Sequence, residues 1–430
     1  MKLVKISLVA AVMFGTSAFA IDNVKVSGDA KFYYSTDSIE LGVKASGDQY
    51  QDGLFGKDAS VGDTALRVGA TGDLIKNISF GATGYAVSTL GLENNLVSNT
   101  WAGSRDGVKD NAWMGELWLA ATAGKTTVKA GRMELDTPLV FSEKWSVTPN
   151  TFNAAVLINQ DIPDTTIVGA WIGQGNGLNA VGTENNNSNG WDYMGKEFGT
   201  FARNGAYAVG AINNSFKPLV AQAWYYNVSD VADAYWLQAD WDCQLIKDLK
   251  VGVQYANIDP KDSLTAVTKA SSAYAVKVAY EGIDKLVLSA AYSSADEDNG
   301  AFSIANAATT NTFAINDYTV GGTVSKFGAQ SKLYTEAWWN YGYVGTAGAD
   351  TVTLTAEYDA DFAKLYAQYT DINIQTSILT SDVAEYTLTA TKSFGPLDAT
   401  LAYIYADDNG NDVNNNKAYD TVMVTLQLNF

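Results

Sequence analysis

Histidine, the residue that enzymes use most often to activate a nucleophile or to hold zinc, is absent from the 430-residue chain. This excludes Ser-His and Cys-His nucleophile activation and any His-ligated metal site. Acidic residues are numerous, with 47 Asp and Glu, so finding two carboxylates that could act as acid and base carries no information. The sequence therefore does not predict an enzyme, and it indicates neither a cofactor nor a metal site.

Two acidic segments look superficially like calcium-binding loops. They are Asp296–Gly300 and Asp407–Asp412. Neither has the Gly at position six and the Glu at position twelve that an EF-hand loop requires. We interpret both as solvated loops, with divalent ions that bridge them to lipopolysaccharide as the alternative.

The net charge of −19 makes a nucleic acid an unexpected partner, because binding its phosphates requires clustered Lys and Arg. Many of the acids stand in segments rich in Gly, Asn and Asp. Simple solvation of these segments is one interpretation. The other is an electric field that enriches cations at the mouth of a pore.

The first twenty residues have the composition of a cleavable secretory signal. Lys2 and Lys5 supply a basic start, Ile6–Phe14 is apolar, and Ala18–Ala20 is the small-residue end. Cleavage after residue 20 would leave 430 − 20 = 410 residues with a net charge of −19 − 2 = −21. That part has no apolar stretch near the roughly 18 residues that a transmembrane helix needs. An exported protein without a helical anchor is predicted.

The whole chain has 6 Pro against 38 Gly. Residues 21–430 keep a uniform composition without a Pro/Ser-rich linker, which indicates a single repetitive architecture. Cys243 is the only cysteine, so no intramolecular disulfide can support this architecture. We interpret it as a small thiol, buried or beside a turn.

Apolar and polar residues alternate at every second position along the chain, as in β-strands with one apolar face. In Val422–Phe430 the even-numbered residues are apolar, and the odd-numbered ones are polar apart from Met423. The same alternation occurs in Leu249–Tyr255, Tyr274–Glu281 and Val352–Tyr358. An all-β protein is predicted, either a soluble sandwich or a membrane barrel.

Three features favour the barrel. Tyr and Trp are abundant, 24 and 11, and several stand at strand ends, as in the girdles at lipid headgroups. Brief turns such as Gly124-Lys125 and Gly395-Pro396 alternate with long polar loops such as Gly175–Gly199 and Asp407–Lys417. The last predicted strand ends on Phe430, like the signal that the barrel assembly machinery reads. Because lipid offers no hydrogen-bond partner, the strands must close into an antiparallel transmembrane β-barrel.

The segment Leu117–Leu139, followed by Val147–Phe152, resembles a hairpin of the OprD-like porins, especially their epsilonproteobacterial major outer-membrane relatives. The start Met1–Lys5 is similar as well. The resemblance implies about 18 strands, short periplasmic turns, long extracellular loops and a homotrimer. Our candidate strands number about twenty, so one pair belongs to a loop. The weak alternation in residues 312–325 and 332–343 assigns that pair to one long extracellular loop, 295–349.

By the same resemblance, residues 133–153 fold inward and narrow the pore. The candidates for the constriction are Arg132, Glu134, Asp136, Glu143 and Lys144. An alternative is that Arg132 and Asp136 pair to hold the loop. Because every second residue of a strand shares a face, Arg132 lies on the same face as Val128 and Ala130. It must therefore sit above the hydrocarbon or follow a β-bulge to reach the lumen.

The lumen-facing candidates are Lys129, Lys250 and Lys277, which oppose a cation preference. The aromatic segment 338–343 is interpreted as a platform for solutes, or as the core of its own loop or part of a girdle. The chain has only four arginines, Arg67, Arg105, Arg132 and Arg203, so the arginine-rich ladder of specific family members is not expected.

The resemblance implies a porin that gives passive diffusion of small hydrophilic solutes and ions, in contact with outer-membrane lipid and lipopolysaccharide. The acidic composition adds a modest preference for cations. The alternative is a structural or adhesin barrel on the cell surface with no open pore. Conductance in a planar bilayer distinguishes the two.

Overall fold

The computed structural model describes residues 22–38, 53–57, 59–92, 96–97, 111–144, 147–176, 198–200, 204–229, 231–261, 269–296, 303–308, 329–376, 380–408 and 418–430. The predicted secretory signal, most of the acidic segment 296–300 and the end of the acidic segment 407–412 lie outside these residues. Arg105 and Arg203 lie outside them too.

Nineteen strands and one short helix, α1, occur within the described ranges. The strands are β1 Asp22–Asp37, β2 Ser60–Ile75, β3 Ile78–Ser88, β4 Asn111–Ala123, β5 Thr126–Met133, β6 Phe152–Asn159, β7 Thr165–Gly175, β8 Gly199–Thr200, β9 Ala206–Asn213, β10 Leu219–Val228, β11 Ala232–Asp242, β12 Leu249–Pro260, β13 Ser271–Ile283, β14 Leu286–Ala295, β15 Ala349–Asp359, β16 Lys364–Gln375, β17 Thr380–Phe394, β18 Leu397–Asp408 and β19 Tyr419–Asn429. Helix α1 is Tyr341–Val344. Among the described residues, no helix is both long enough and apolar enough to cross a membrane.

The strands form one closed antiparallel barrel. Apart from β8, each strand pairs with the strands before and after it in the chain, and β1 pairs with β19 from Asp29↔Asn429 to Asp37↔Thr421, which closes the ring. The two-residue β8 pairs only with the end of β7, while β7 pairs along its length with β9. Eighteen strands therefore make the barrel, as predicted. Closure gives every wall strand two partners, which lipid requires.

The predicted two-residue turns stand where the sequence placed them. Gly124-Lys125 joins β4 to β5, and Gly395-Pro396 joins β17 to β18. Both glycines have positive φ, +61° and +65°, a conformation that glycine adopts without steric cost. Strands β14 and β15 pair directly, although 53 residues, 296–348, separate them in sequence. Of the weakly alternating segments, 332–343 contains no strand residue, and 312–325 lies outside the described residues.

The alternation sorts the side chains of each strand between two environments. Large apolar residues such as Leu117, Val276 and Leu401 are exposed on the outward face, where lipid lies. Tyrosines share that face with them, among them Tyr207, Tyr235, Tyr255, Tyr274, Tyr386 and Tyr403. The outward face therefore has the composition of a lipid-facing surface.

The described parts of two segments between strands fold into the barrel. Loop A is residues 134–151, between β5 and β6, described at 134–144 and 147–151. Loop B is residues 296–348, between β14 and β15, described at 296, 303–308 and 329–348. The largest buried apolar cluster joins residues of both loops to inward residues of the wall. Its loop members include Leu139, Val140, Ile304, Leu333 and Val344, and its wall members include Phe152, Ile172, Trp224, Trp236 and Ile372. Burial of these apolar side chains holds both loops inside the barrel.

The chain end at Phe430 completes the closing strand pair. Its backbone N–H donates to Gly28 O at 3.0 Å, and Gly28 N–H donates to Phe430 O at 2.8 Å. The ring itself is 56 % exposed. The backbone of this residue therefore belongs to the barrel, while its side chain adds little buried surface.

Candidate pore constriction

Loop A turns back on itself as a small hairpin. Ser142 N–H donates to Leu135 O at 2.8 Å, and Thr137 N–H donates to Val140 O at 3.1 Å. The Leu139 N–H at its tip faces the hydroxyl of Tyr226 on β10 at 3.4 Å. The tip is thus seated on the inner wall, and the base of the hairpin carries the charged residues that sequence analysis selected.

Residues 332–336 of loop B run along the inner wall, where polar side chains of three strands bind their backbone. The contacts are Gln254 Nε2 to Lys332 O at 2.9 Å, Tyr334 N–H to Gln254 Oε1 at 3.0 Å, Thr353 Oγ1 to Thr335 O at 2.9 Å and Gln368 Nε2 to Glu336 O at 2.7 Å. These side chains stand on β12, β15 and β16. Since each satisfies a backbone group of the loop, the segment follows the wall instead of crossing the lumen freely.

Glu385 on β17 anchors the end of this segment. Its buried carboxylate accepts N–H bonds from Trp338 at 2.9 Å, Trp339 at 3.0 Å and Asn340 at 2.7 Å, and an Nδ2 bond from Asn340 at 2.9 Å. Charge-assisted bonds of this kind are stronger than neutral ones. Sequence analysis missed this residue, because one Glu on a polar strand face looks like any other.

The aromatic segment 338–343 divides between the two interpretations given to it. Tyr343 is buried within the apolar cluster of the loops. Trp338 is at the surface, with its ring 5.8 Å from that of Tyr366 on β16. Most of the segment belongs to the interior of loop B, and Trp338 is its only exposed residue.

Glu134 is the centre of a charge cluster between loop A and the wall. It lies 3.5 Å from Arg67 Nη1 and 3.1 Å from Lys144 Nζ, and the Tyr85 hydroxyl donates to it at 3.5 Å. Arg67 also binds Asp29 Oδ1 through Nε at 2.7 Å and Nη2 at 2.6 Å. Glu134 and Lys144 were predicted for the constriction. Arg67 and Asp29, from β2 and β1, were not.

Asp136 forms an ion pair with Lys332, which joins loop A to loop B. The Lys332 Nζ also lies 4.8 Å from the centre of the Phe141 ring. The Asp136 side chain is 80 % exposed, so this pair stands in the open lumen. The structure thus gives Asp136 a partner that the sequence did not indicate, and its place in the constriction stays a prediction.

Glu143 has a different position from the one predicted. The residue is 1 % exposed, and its Oε1 accepts from Asn306 Nδ2 at 3.0 Å. Its own N–H donates to Asn150 Oδ1 at 2.7 Å. The carboxylate is enclosed where the two loops meet, so a passing solute does not touch it. The interpretation of Glu143 as a lining residue is corrected for that reason.

Arg132 also departs from its predicted place. It pairs in register with Leu117, which is 57 % exposed, and the β4–β5 register is continuous from Leu117↔Arg132 to Ala123↔Thr126. Paired residues share a face, so Arg132 points outward. Its Nη1 donates to Met114 O at 2.6 Å, and its guanidinium stands 3.7 Å from the Phe198 ring. Arg132 is neither at the constriction nor the partner of Asp136.

The three predicted lysines lie at separate points of the inner wall. Lys129 Nζ stands 4.1 Å from the Trp118 ring, and Lys277 Nζ stands 5.4 Å from the ring of Tyr334 in loop B. Lys250 pairs with Glu281 at 3.0 Å near the short-turn end. Whether these lysines influence conduction stays a prediction.

Glu336 in loop B has an enclosed carboxyl group. Burial raises the pKa of Glu336 well above its usual range, and the neighbouring Glu143 and Glu385 raise it further, against the Ser331 N–H bond that lowers it. Its Oε2 accepts that N–H at 2.9 Å, while Oε1 has no hydrogen-bond partner among the described residues. The arrangement favours a protonated Glu336.

Comparison with known proteins agrees with this architecture. The family model described as outer membrane porin, OprD family, matches residues 91–365, which is more than half of the chain. No curated protein sequence is similar enough to the chain to count as a match.

Solved porins of Pseudomonas aeruginosa share the fold. The structure of OpdK with vanillate has a TM-score of 0.71 at 10 % identity, with 96 % of this chain and 100 % of that chain covered. OccK9 (OpdG) has a TM-score of 0.70 at 12 % identity, with coverages of 95 % and 99 %. OccK2 (OpdF) in complex with glucuronate has a TM-score of 0.67 at 11 % identity, with coverages of 96 % and 100 %.

Proposed function

The chain belongs to the OprD family of outer membrane porins, and from that premise we propose that it gives passive diffusion of small hydrophilic solutes and ions, with a modest preference for cations. The protein is a porin of the bacterial outer membrane. The preference for cations, the solutes and the oligomer are the parts that we infer.

The observation that carries the proposal is the neutralisation of the cations at the constriction. Among the described residues, three cations form ion pairs with three carboxylates there: Arg67, Lys144 and Lys332 with Asp29, Glu134 and Asp136. Within these pairs the charges cancel, so none of the three cations opposes the field of the whole chain with an unpaired positive charge. Lys31 and Lys129 also lie near this cluster and oppose the preference, whereas Glu116 supports it. That field comes from a net charge of −19 and favours cations in the lumen.

The expected preference is modest. A unit charge about 4 Å from a passing ion contributes roughly 4 kcal/mol at an effective dielectric constant near 20, before ion desolvation and salt screening. A quarter of that energy corresponds to about a fivefold bias, since about 1.4 kcal/mol is tenfold. The lysines of the inner wall act in the opposite direction.

The same neutralisation bears on the solutes. Vanillate and glucuronate, which the solved OpdK and OccK2 structures contain, are carboxylates. Here each constriction cation already has a carboxylate partner from the protein. We infer that cations and neutral hydrophilic solutes pass more readily than such acids.

The outward face and the chain end suggest the remaining partners. The exposed apolar and tyrosine side chains fit outer-membrane lipid and lipopolysaccharide. Phe430, whose ring is largely exposed on the closing strand, fits recognition by the barrel assembly machinery. We also infer a homotrimer from membership of the family.

Reversal potentials across a KCl gradient in planar bilayers test the proposal. The wild type should conduct and prefer cations, and Glu134→Gln should shift the potential toward anions, because Arg67 and Lys144 then lose a shared carboxylate. Asp164→Asn is the matched control, since Asp164, in the short turn between β6 and β7, pairs with Lys217 in the short turn between β9 and β10. An anion-selective wild type would overturn the preference. A folded barrel without conductance would overturn the channel and favour the surface-barrel alternative.

A further inference from the structure

We propose that Asn306 is a positioning residue that fixes the width of the constriction by joining loop B to loop A. The inference rests on the proposed function, because the width of a constriction matters only in a conducting channel. Asn306 belongs to the segment 303–308 of loop B and is fully buried. Nothing in its surrounding sequence distinguishes it from the many other asparagines of the chain.

The Asn306 amide binds both backbone groups of one residue in loop A. Its Oδ1 accepts the Phe141 N–H at 3.2 Å, and its Nδ2 donates to Phe141 O at 2.8 Å. The same Nδ2 donates to Glu143 Oε1 at 3.0 Å. A side-chain amide that satisfies a donor and an acceptor in this way takes the place of a neighbouring β-strand.

The backbone beside Asn306 reinforces the junction on both sides. Ala307 N–H donates to Leu139 O of loop A at 2.9 Å. Within loop B, Asn306 N–H donates to Gln330 O at 2.8 Å, and Ile304 N–H donates to Gly345 O at 2.7 Å. The segment is therefore held to the rest of loop B, so a shift of loop A is resisted through Asn306.

Asn306 is distant in sequence from the charged residues that it positions. Phe141 stands between Asp136 and Lys144 in loop A, and its ring contacts Lys332 of loop B. The ion pair of Asp136 with Lys332 is exposed to water and ions, and such pairs hold a geometry weakly. The buried amide junction thus fixes how far apart the charged surfaces of the two loops stand.

Asn306→Leu is the decisive variant, because Leu keeps the branching and the number of side-chain heavy atoms and loses all four side-chain bonds, including the one that Oδ1 accepts from Ala308 N–H at 3.3 Å. Asn306→Ser is the second variant, since a hydroxyl is smaller and cannot satisfy Phe141 N–H and O together. The matched controls are Asn213→Leu and Asn213→Ser. The Asn213 amide binds Thr165 Oγ1 at 2.8 Å, near a short turn and outside both loops.

Each variant is first shown to be a folded barrel by heat-modifiable migration, and then measured in two ways. We expect larger mean single-channel conductance and greater open-channel current noise in both Asn306 variants than in the controls. We also expect hydrogen exchange of the Phe141 amide to accelerate roughly tenfold, as loss of a buried hydrogen bond of ordinary strength implies.

The outcomes separate the two proposals. If folded Asn306 variants match the Asn213 controls in conductance, noise and exchange, the role of Asn306 is overturned while a conducting wild type keeps the channel. If the wild type does not conduct, the channel proposal fails, and exchange at Phe141 still decides whether Asn306 joins the loops. Should Asn306→Leu fail to fold, the Ser variant gives the same comparison.

Discussion

The two inward loops contact the barrel wall in different ways. At its charged base, loop A meets β2 and β3 through partly exposed side chains. Glu134 lies between Arg67 of β2 and Lys144 of loop A and accepts from the Tyr85 hydroxyl of β3. Loop B meets β12 to β17 through its backbone. Buried or part-buried polar side chains of the wall strands form hydrogen bonds to that backbone. Exposed ion pairs contribute little stability, whereas enclosed charge-assisted bonds contribute more. The contacts of loop B therefore hold the inward segments in place, and we expect those of loop A to set the charge of the predicted constriction.

The largest effect is expected from Glu385→Ala, which removes the anchor of loop B. Trp338, Trp339 and Asn340 would each lose the acceptor of a backbone N–H, and each buried group left unsatisfied costs roughly 1 to 3 kcal/mol. Hydrogen exchange of these three amides should accelerate strongly, and open-channel noise should rise.

Glu357→Ala is the control for this change, because Glu357 is an exposed carboxylate on β15. Barrel assembly, followed by heat-modifiable migration, should be similar in both variants, since the strand ladder is untouched. Protected amides at 338 to 340 in a folded Glu385→Ala barrel would show that the apolar cluster alone holds loop B, and the contrast between the loops would lose its basis.

The strand architecture could be predicted because its signal is local. Alternation at period two, turns at Gly124 and Gly395, and the lack of any lipid-compatible alternative to closure all stand in the sequence itself. Eighteen strands followed from the resemblance, which removed a pair that weak alternation had suggested. Strand pairing of β14 with β15 across 53 residues confirms that removal.

Only the loop A side of the candidate site could be predicted from the sequence. The resemblance located loop A, and Glu134, Asp136 and Lys144 stand in its charged part. Their partners Arg67 and Lys332 are 67 and 196 residues distant in sequence, and only the closed barrel brings them together. Alternation shows which charges face inward, but not where each lies along the barrel axis. It therefore could not show which charges of distant strands meet.

Two residues show why loop chemistry was harder to predict than strand chemistry. Parity correctly raised the difficulty with Arg132, and the continuous β4–β5 register leaves it on the outward face. Glu143 follows no strand parity, since it lies in a loop whose burial depends on loop B. Its burial depends on Asn306, which is distant in sequence, so it could not be predicted from the residue type of Glu143 alone.

A pH dependence should appear in loop B. The raised pKa of Glu336 means that the folded loop binds a proton more tightly than the detached loop does. The stabilising contribution is thus fully present below the usual pKa of about 4.3 and is lost as the pH rises through the raised value. The carboxyls of Glu143 and Glu385, which face Glu336, repel the charged form further.

Open-channel noise of the wild type should therefore increase with pH, while that of Glu336→Gln should stay level. The amide of Gln keeps the shape of the protonated acid and does not titrate. Glu281→Gln is the control, because Glu281 forms an exposed pair with Lys250 away from loop B. Parallel pH profiles for the wild type and Glu336→Gln would assign the noise to another group and remove Glu336 from the account of loop B.

The smallest structural effect is expected from Lys332→Met, which discharges the exposed pair with Asp136 and keeps the length of the side chain. An exposed pair is worth at most about 1 kcal/mol, so exchange of the Phe141 amide should change less than in the Asn306 variants. Selectivity should respond, however, because Asp136 then faces the lumen without a compensating cation. The reversal potential should move toward cations, and the shift should shrink as salt shortens the Debye length. Lys217→Met, at the turn pair with Asp164, should leave both measurements unchanged. If Lys332→Met instead loosened loop A as much as Asn306→Leu does, an exposed ion pair would be holding the constriction, and the division between anchoring and charge-setting contacts would have to be abandoned.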